Sequence, residues 1–228
     1  MSGEKKDSKL QRGVLVEFDF AVMPGHEIML QICKERLAEA GLKIDNIIMA
    51  RYMFGRSFVS GLSALCRAQN VSSVELSELA TTCNELFAQR AAERLNQIPQ
   101  GFNDFIDALV KKGLKPVLFS KIDTELLRAS FSTIAEEKLG ISEDLTSSFC
   151  FTSWEGWRRF ARKNNLHERL CVAVAGSGLS VKGALTSGLS VLVKTNPIAD
   201  YQDISGCDKK IDKFSAEIVK DVVDMLHL

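Results

Sequence analysis

Two carboxylates, Glu17 and Asp19, stand two residues apart at the end of the apolar run Val14-Leu15-Val16, within GVLVEFDFAVMPGHE (residues 13–27). Such a run reads as a buried strand, and in an open α/β sheet the carboxyl ends of the strands face the ligand crevice. The acid pair therefore lies where chemistry is expected. A second candidate is Ser120 with Lys121, which closes the apolar stretch Pro116–Phe119. A third is Ala175-Gly176-Ser177-Gly178, where an apolar run passes into a helical pattern. Backbone N–H groups at a helix N-terminus attract anions without any charged side chain. Ser120, Lys121, Gly176, Ser177 and Gly178 thus compose a candidate phosphate or sulfate site; the alternative is that the glycines only permit a tight turn. A dinucleotide-binding reading of Gly176-x-Gly178 fails, because that fingerprint belongs to the first strand–helix turn of its domain and needs a third glycine.

The elements that must position these residues follow from periodicity. After the first strand, residues 26–40 carry an apolar stripe ended by Gly41, and residues 58–69 and 73–95 read as two further helices. Arg51–Gly55 between them is irregular and holds the Tyr52-Met53-Phe54 cluster. Ile98-Pro99-Gln100-Gly101 breaks the helical run, and strict alternation follows. Helices are expected over 102–112, 124–139, 155–164, 179–187 and 216–226. Strands are expected over 116–119, 149–151, 170–174, 190–193 and 210–212. Strands alternating with helices predict a doubly wound, mainly parallel sheet covered on both faces, with an all-helical cap inserted after strand one. The expected division is a tail over 1–12, a core over 13–23 and 98–228, and a cap over 24–97.

Composition narrows the function classes. Lysine plus arginine and aspartate plus glutamate balance at 29 each, so no electrostatic footprint for nucleic acid or an anionic membrane is present. The six cysteines are scattered without a CxxC pair, several in apolar runs, which reads as buried reduced thiols. The three histidines are isolated, so no metal site is expected from them. The polar start MSGEKKDSKLQR has no apolar core of a secretory signal, and no run approaches a membrane span. A cytoplasmic protein is expected.

Topology and local motifs together resemble the haloacid-dehalogenase-like superfamily, most of all its β-phosphoglucomutase/CbbY-like branch, over nearly the whole chain. IPQGFNDFIDALVKKGLKPVLFSK looks like the helix and strand leading to the family's second motif, with Ser120 at the Ser/Thr position. GALTSGLSVLVKT looks like the helix and strand after the fourth motif, and YQDISGCDKKID is similar to the branch's segment near the C-terminus. Gly55-Arg56-Ser57 resembles the cap loop that contacts substrate, which makes Arg56 a further ligand-binding candidate.

The resemblance implies a nucleophilic aspartate, a second acid two residues on, a phosphoryl-binding Ser or Thr, a lysine, and further acids around Mg²⁺. The sequence departs from this set at several points. If Glu17 and Asp19 fill the two acid positions, the nucleophile has become a glutamate, displaced by about a bond length, and near-attack geometry tolerates little displacement. If Ala21-Val22-Met23 sets the alignment, Phe18 and Phe20 fill them. A third register keeps Asp19 as nucleophile and loses the second acid. No lysine lies between Lys138 and Lys163, leaving Arg158 or Arg159 as substitute cations or as a solvated helix face. No carboxylate follows the strand at Ala175-Gly176-Ser177-Gly178, so Mg²⁺ lacks its anchor. Trp154 and Trp157 either plug the old site, form a partner surface, or pack in the core. The expectation is a catalytically degenerate protein with a binding or regulatory role, its ligand a phosphorylated small molecule or anion and its metal and cofactor none. The alternatives are an active phosphatase or phosphomutase with a rearranged, Mg²⁺-dependent site, and a protein-interaction module.

Overall fold

A computed structural model describes residues 11–72, 75–143 and 154–227. Among the described residues six parallel strands form one sheet in the order β3-β2-β1-β4-β5-β6. They are β1 (Gln11–Glu17), β2 (Lys115–Ser120), β3 (Gly140–Glu143), β4 (Leu166–Ala175), β5 (Ser190–Lys194) and β6 (Lys209–Ile211). β1 is central, with Val16 opposite Leu118 on one side and opposite Val174 on the other. Side chains alternate across a strand, so each strand divides its apolar residues between two cores. Val14, Val16, Leu118, Val172, Val174 and Leu192 face one cluster, while Leu15, Val117, Phe119, Ala173, Val191 and Val193 face the other.

The strands' continuous apolar runs are explained by helices on both faces. The first face is covered by α5 (Gln100–Lys111), through Phe102, Phe105, Ile106 and Leu109, and by α9 (Ile218–Met225), through Ile218, Val219 and Val222. The second is covered by α7 (Trp154–Lys163), through Trp157, Phe160 and Ala161, and by α8 (Gly178–Thr186), through Val181 and Ala184. Between β1 and β2 the described residues are helical and contain no strand: α1 (Gly25–Glu39), the single turn α2 (Asn46–Ile48), α3 (Phe58–Gln69) and α4 (Leu76–Ala92). This is the expected cap insertion. Among the described residues no helix is long and apolar enough to cross a membrane.

Two local expectations need correction, and a third falls outside the described residues. The helix expected over 124–139 is only α6 (Thr124–Ala129), followed by turns and a 3₁₀ turn at Glu136–Lys138. Ser130, Ser132 and Thr133 are weak helix formers, and the Ser130 hydroxyl donates back to the Leu126 carbonyl. Phe131 turns inward, edge-on to Phe18 and Phe102. Next, the strand after this segment is β3 at Gly140–Glu143, paired in register with β2; the strand expected at 149–151 lies outside the described residues, as does Cys150. Finally, of the irregular stretch expected at Arg51–Gly55, Arg51–Met53 belong to a π-helical turn over Met49–Met53, closed by the Phe54 amide donating to the Met49 carbonyl, while Phe54 and Gly55 are irregular as expected.

Candidate functional site

The site is built where β1 ends. The strand stops at Glu17, and a π-helical turn spans Phe18–Val22, closed by the Met23 amide donating to the Phe18 carbonyl at 3.0 Å. The wider turn lets consecutive side chains leave in divergent directions. Phe18 enters the core edge-on to Phe102 and Phe131. Phe20 goes to the cap, 5.0 Å from the Phe54 ring and 5.8 Å from that of Phe87. The two acids go to opposite neighbours of β1.

Glu17, 5% exposed, turns toward β4 and α8. Its Oε2 accepts from the Gly176 amide at 2.7 Å and its Oε1 from the Ser180 hydroxyl at 2.6 Å. Ser177 caps α8, accepting from the Ser180 amide, and its hydroxyl donates to Ser180 Oγ at 3.0 Å. A relay of hydroxyls therefore runs from Ser177 through Ser180 to Glu17. Asp19, 3% exposed, turns toward β2. Its Oδ1 accepts from the Ser120 hydroxyl and its Oδ2 from the Lys121 amide at 2.9 Å. Ser120 Oγ also accepts from the Ile122 amide. Burial pushes the Asp19 carboxyl above its ordinary range and outweighs the lowering by Ser120 and by the Lys121 amide and charge.

Ser120 and the Gly176–Gly178 turn therefore both stand at the carboxyl edge of the sheet, one on each side of β1, and each is tied to one of the acids. Three backbone amides of this candidate anion site already have partners. The Lys121 and Gly176 amides bond to the two carboxylates, and the Gly178 amide donates to Gln202 Oε1 at 2.7 Å. Lys121 Nζ leaves the sheet edge and lies 5.1 Å from the centres of both the Phe58 and Phe87 rings, a cation–π contact inside the cap.

Cap and core are tightly closed over this edge. A Cβ on Gly176 would come within 2.3 Å of the Phe20 carbonyl carbon and oxygen, so no side chain fits there without moving the π turn. A Cβ on Gly55 would come within 2.5 Å of Ser177 Oγ, and Gly55 also has φ +81°. Gln202 clamps the two parts together. Its Oε1 takes the Gly178 amide, while its Nε2 donates to the Ala50 and Phe54 carbonyls of the cap at 2.7 and 3.1 Å.

Arg56 is not beside Ser120. It lines a cavity of about 200 Å³ with Arg51, Gly178, Lys182 and Gln202, next to the start of α8. Its Nε is buried without a hydrogen-bond partner, and Lys182 pairs with Asp203 at 3.1 Å. Arg158 donates twice to the Ser187 carbonyl at the far end of α8, and Arg159 pairs with Glu155. Trp157 is fully buried against Phe119, as core rather than plug or partner surface. Tyr52 is only partly buried, while Met53 and Phe54 are core.

Mg²⁺ does not fit these residues. Both oxygens of each acid already accept from an N–H or O–H donor of the protein, where a cation would need them. Among the described residues no three His, Cys, Asp or Glu side chains cluster as a metal site. Sequence reasoning missed Ser180, Gln202, Arg51 and Lys182. Ser180 could have been found as the helical partner of a Ser cap three residues earlier. Gln202 carried no signal, because its role depends on a contact with Ala50 and Phe54 across the chain.

No family model and no curated protein sequence matches the chain. Solved structures do. CbbY from Rhodobacter sphaeroides in complex with phosphate superposes with a TM-score of 0.70 at 17% identity, over 91% of this chain and 96% of that one. β-Phosphoglucomutase from Clostridium difficile gives 0.76 at 11% identity, over 95% and 97%. A hydrolase from Pseudomonas syringae gives 0.71 at 15% identity, over 94% and 99%. Identities this low establish a common fold.

Proposed function

We propose that this chain, which has the haloacid-dehalogenase-like fold seen in CbbY and β-phosphoglucomutase, has lost phosphotransfer chemistry and serves as a cytoplasmic binding or regulatory protein. One observation carries the reading. Both acids at the end of β1 accept hydrogen bonds from the protein itself, Glu17 from Gly176 and Ser180, Asp19 from Ser120 and Lys121. Each oxygen of each carboxylate is thus already engaged by a protein donor, which competes with its approach to phosphorus or to a metal. The glycine at 176 supports the same view, because the backbone of the π turn occupies the space an acidic side chain would take. Nucleophile, second acid and metal act as a unit in phosphotransfer, so losing several leaves little beyond binding.

The cap in this reading spans 24–97 and joins the core at two crossings, Met23-Pro24 and Ile98-Pro99. Its ligand is a phosphorylated small molecule held by Arg51, Arg56 and Lys182 in the cavity beside Gly178, where cationic side chains and the start of α8 favour an anion.

A phosphate-release screen with Mg²⁺ over sugar phosphates and an aryl phosphate tests the loss of chemistry. Background release, unchanged in Glu17→Gln and Asp19→Asn, is expected. Mg²⁺-dependent turnover abolished by either substitution would restore the enzyme. The ligand reading is tested separately by titrating a sugar phosphate calorimetrically into the wild type and Arg56→Gln; binding indifferent to that change would refute it.

A further inference from the structure

A second cavity, of about 570 Å³, is lined by Phe20, Ala21 and Val22 of the π turn. Its volume falls within the range of about 300–1,000 Å³ typical of small-molecule sites. Both cap crossings contribute to its wall, through Met23-Pro24 and Gln97 with Pro99, and so do the residues that follow β5 and β6. The wall is mainly apolar, with Phe20, Val22 and Phe214 among its members. Charge is confined to Lys194, Lys213 and Asp212, with His26 beside them.

These polar groups are unevenly matched. Asp212 already accepts from the Thr195 hydroxyl at 2.7 Å. Lys194 is partly buried and, among the described residues, donates to the adjacent Thr195 carbonyl at 2.8 Å. Burial lowers its pKa, against the influence of Asp212. His26 has a side chain 13% exposed and an Nδ1 that is buried without a hydrogen-bond partner. Burial lowers the His26 pKa against the pull of Glu27, and the Lys194 charge adds to the lowering. Among the lining residues two cations against one anion leave a single positive charge in excess, beside an apolar wall and an imidazole whose Nε2 lies 3.8 Å from Glu27 and whose Nδ1 has no hydrogen-bond partner among the described residues.

We propose that this hinge cavity binds a small amphipathic monoanion, a carboxylate or sulfonate on an aromatic-sized apolar body. The acid group would pair with Lys194 and Lys213, with His26 within the same site, and the apolar body would lie against Phe20, Val22 and Phe214. Phe20 gives the site its consequence. The same residue packs on Phe54 and Phe87 between core and cap, so an occupant of the hinge cavity bears directly on the cap's seating. The cavity shares no lining residue with the Arg56 cavity, and it touches the acid pair through the π turn and through Asn196, which donates to the Gly176 carbonyl.

Fluorescence titration of the full chain with anilinonaphthalene sulfonate, an aromatic body with one sulfonate, tests this. Saturable one-to-one binding is expected, weakened about tenfold or more by Lys194→Gln and by Gln97→Trp, in which an exposed lining residue becomes large enough to fill the cavity. N-phenylnaphthylamine, a comparable body without the acid, should bind about tenfold or more weakly than the sulfonate. Amide NMR of the wild type should place the sulfonate-induced shifts around His26, Thr195 and Lys213. Equal binding of the two dyes, non-saturating binding, or shifts centred on Arg56 and Lys182 would overturn the proposal. The dye pair and the shift map use only the wild type, so they decide even if a variant fails to fold.

Discussion

Replacing Asp19 by asparagine separates a structural carboxyl group from a catalytic one. Asp19 is 3% exposed and accepts from two donors, the Ser120 hydroxyl and the Lys121 amide. Asparagine keeps the shape but offers one acceptor oxygen, so one donor loses its partner or meets an NH₂ group. A buried donor left unpaired costs about 1–3 kcal/mol. For a chain of this size each kcal/mol moves Tm by about 2–4 °C, so the variant should melt about 2–12 °C lower. The pH dependence gives the sign. Because burial raises the Asp19 pKa above the ordinary 3.8, the folded protein holds this proton more tightly than the unfolded chain. The stability due to that proton is complete below the unfolded pKa and is lost as pH rises through the folded one. Asparagine does not titrate there. The penalty of Asp19→Asn should therefore be largest in acid and shrink toward neutrality. Urea unfolding of both proteins at about pH 4 and about pH 7 measures it. A penalty that grows with pH would refute the reasoning, since it would mean that Ser120 and Lys121 hold the carboxylate ionised against its burial.

Two further outcomes follow from other contacts. Gln202→Ala removes the side chain that joins the Gly178 amide to the Ala50 and Phe54 carbonyls, at a cost of about 1–3 kcal/mol. Amide exchange over residues 49–54 should quicken more than exchange in β1 and β4; equal protection in both proteins would show that the clamp is dispensable. In a Cys150→Ser background at mildly alkaline pH, the half-exposed Cys207 should react first with a thiol reagent. Burial pushes Cys33 and Cys171 up to about 12 and Cys83 up to about 11, so these three should react only on unfolding. Labelling of Cys33 ahead of Cys207 would contradict the packing described.

Helix and strand positions were largely legible in the sequence because they rest on local periodicity. The helix at 58–69 has the same limits in pattern and in structure, since Ser57 caps its start and Asn70, at φ 56°, ends it. The parallel order could be expected from alternation alone, because consecutive parallel strands need crossovers. Where local propensity was weak, prediction failed: the serine-rich stretch after Ala129 lets Phe131 leave the helix for the core.

The fate of the acids was a different kind of question. The sequence by itself determined that Glu17 and Asp19 end a buried strand and that no carboxylate follows β4. It could not determine where each side chain points, because that depends on the π turn at Phe18–Val22. The turn in turn depends on contacts distant along the chain, from Gly176 against the Phe20 carbonyl to Phe54 and Phe87 against its ring. Only the tertiary structure sends Glu17 to Ser180, 163 residues away, and Asp19 to Ser120, 101 residues away. A hydrogen bond is satisfied by whichever donor the fold delivers, and no local pattern records that choice.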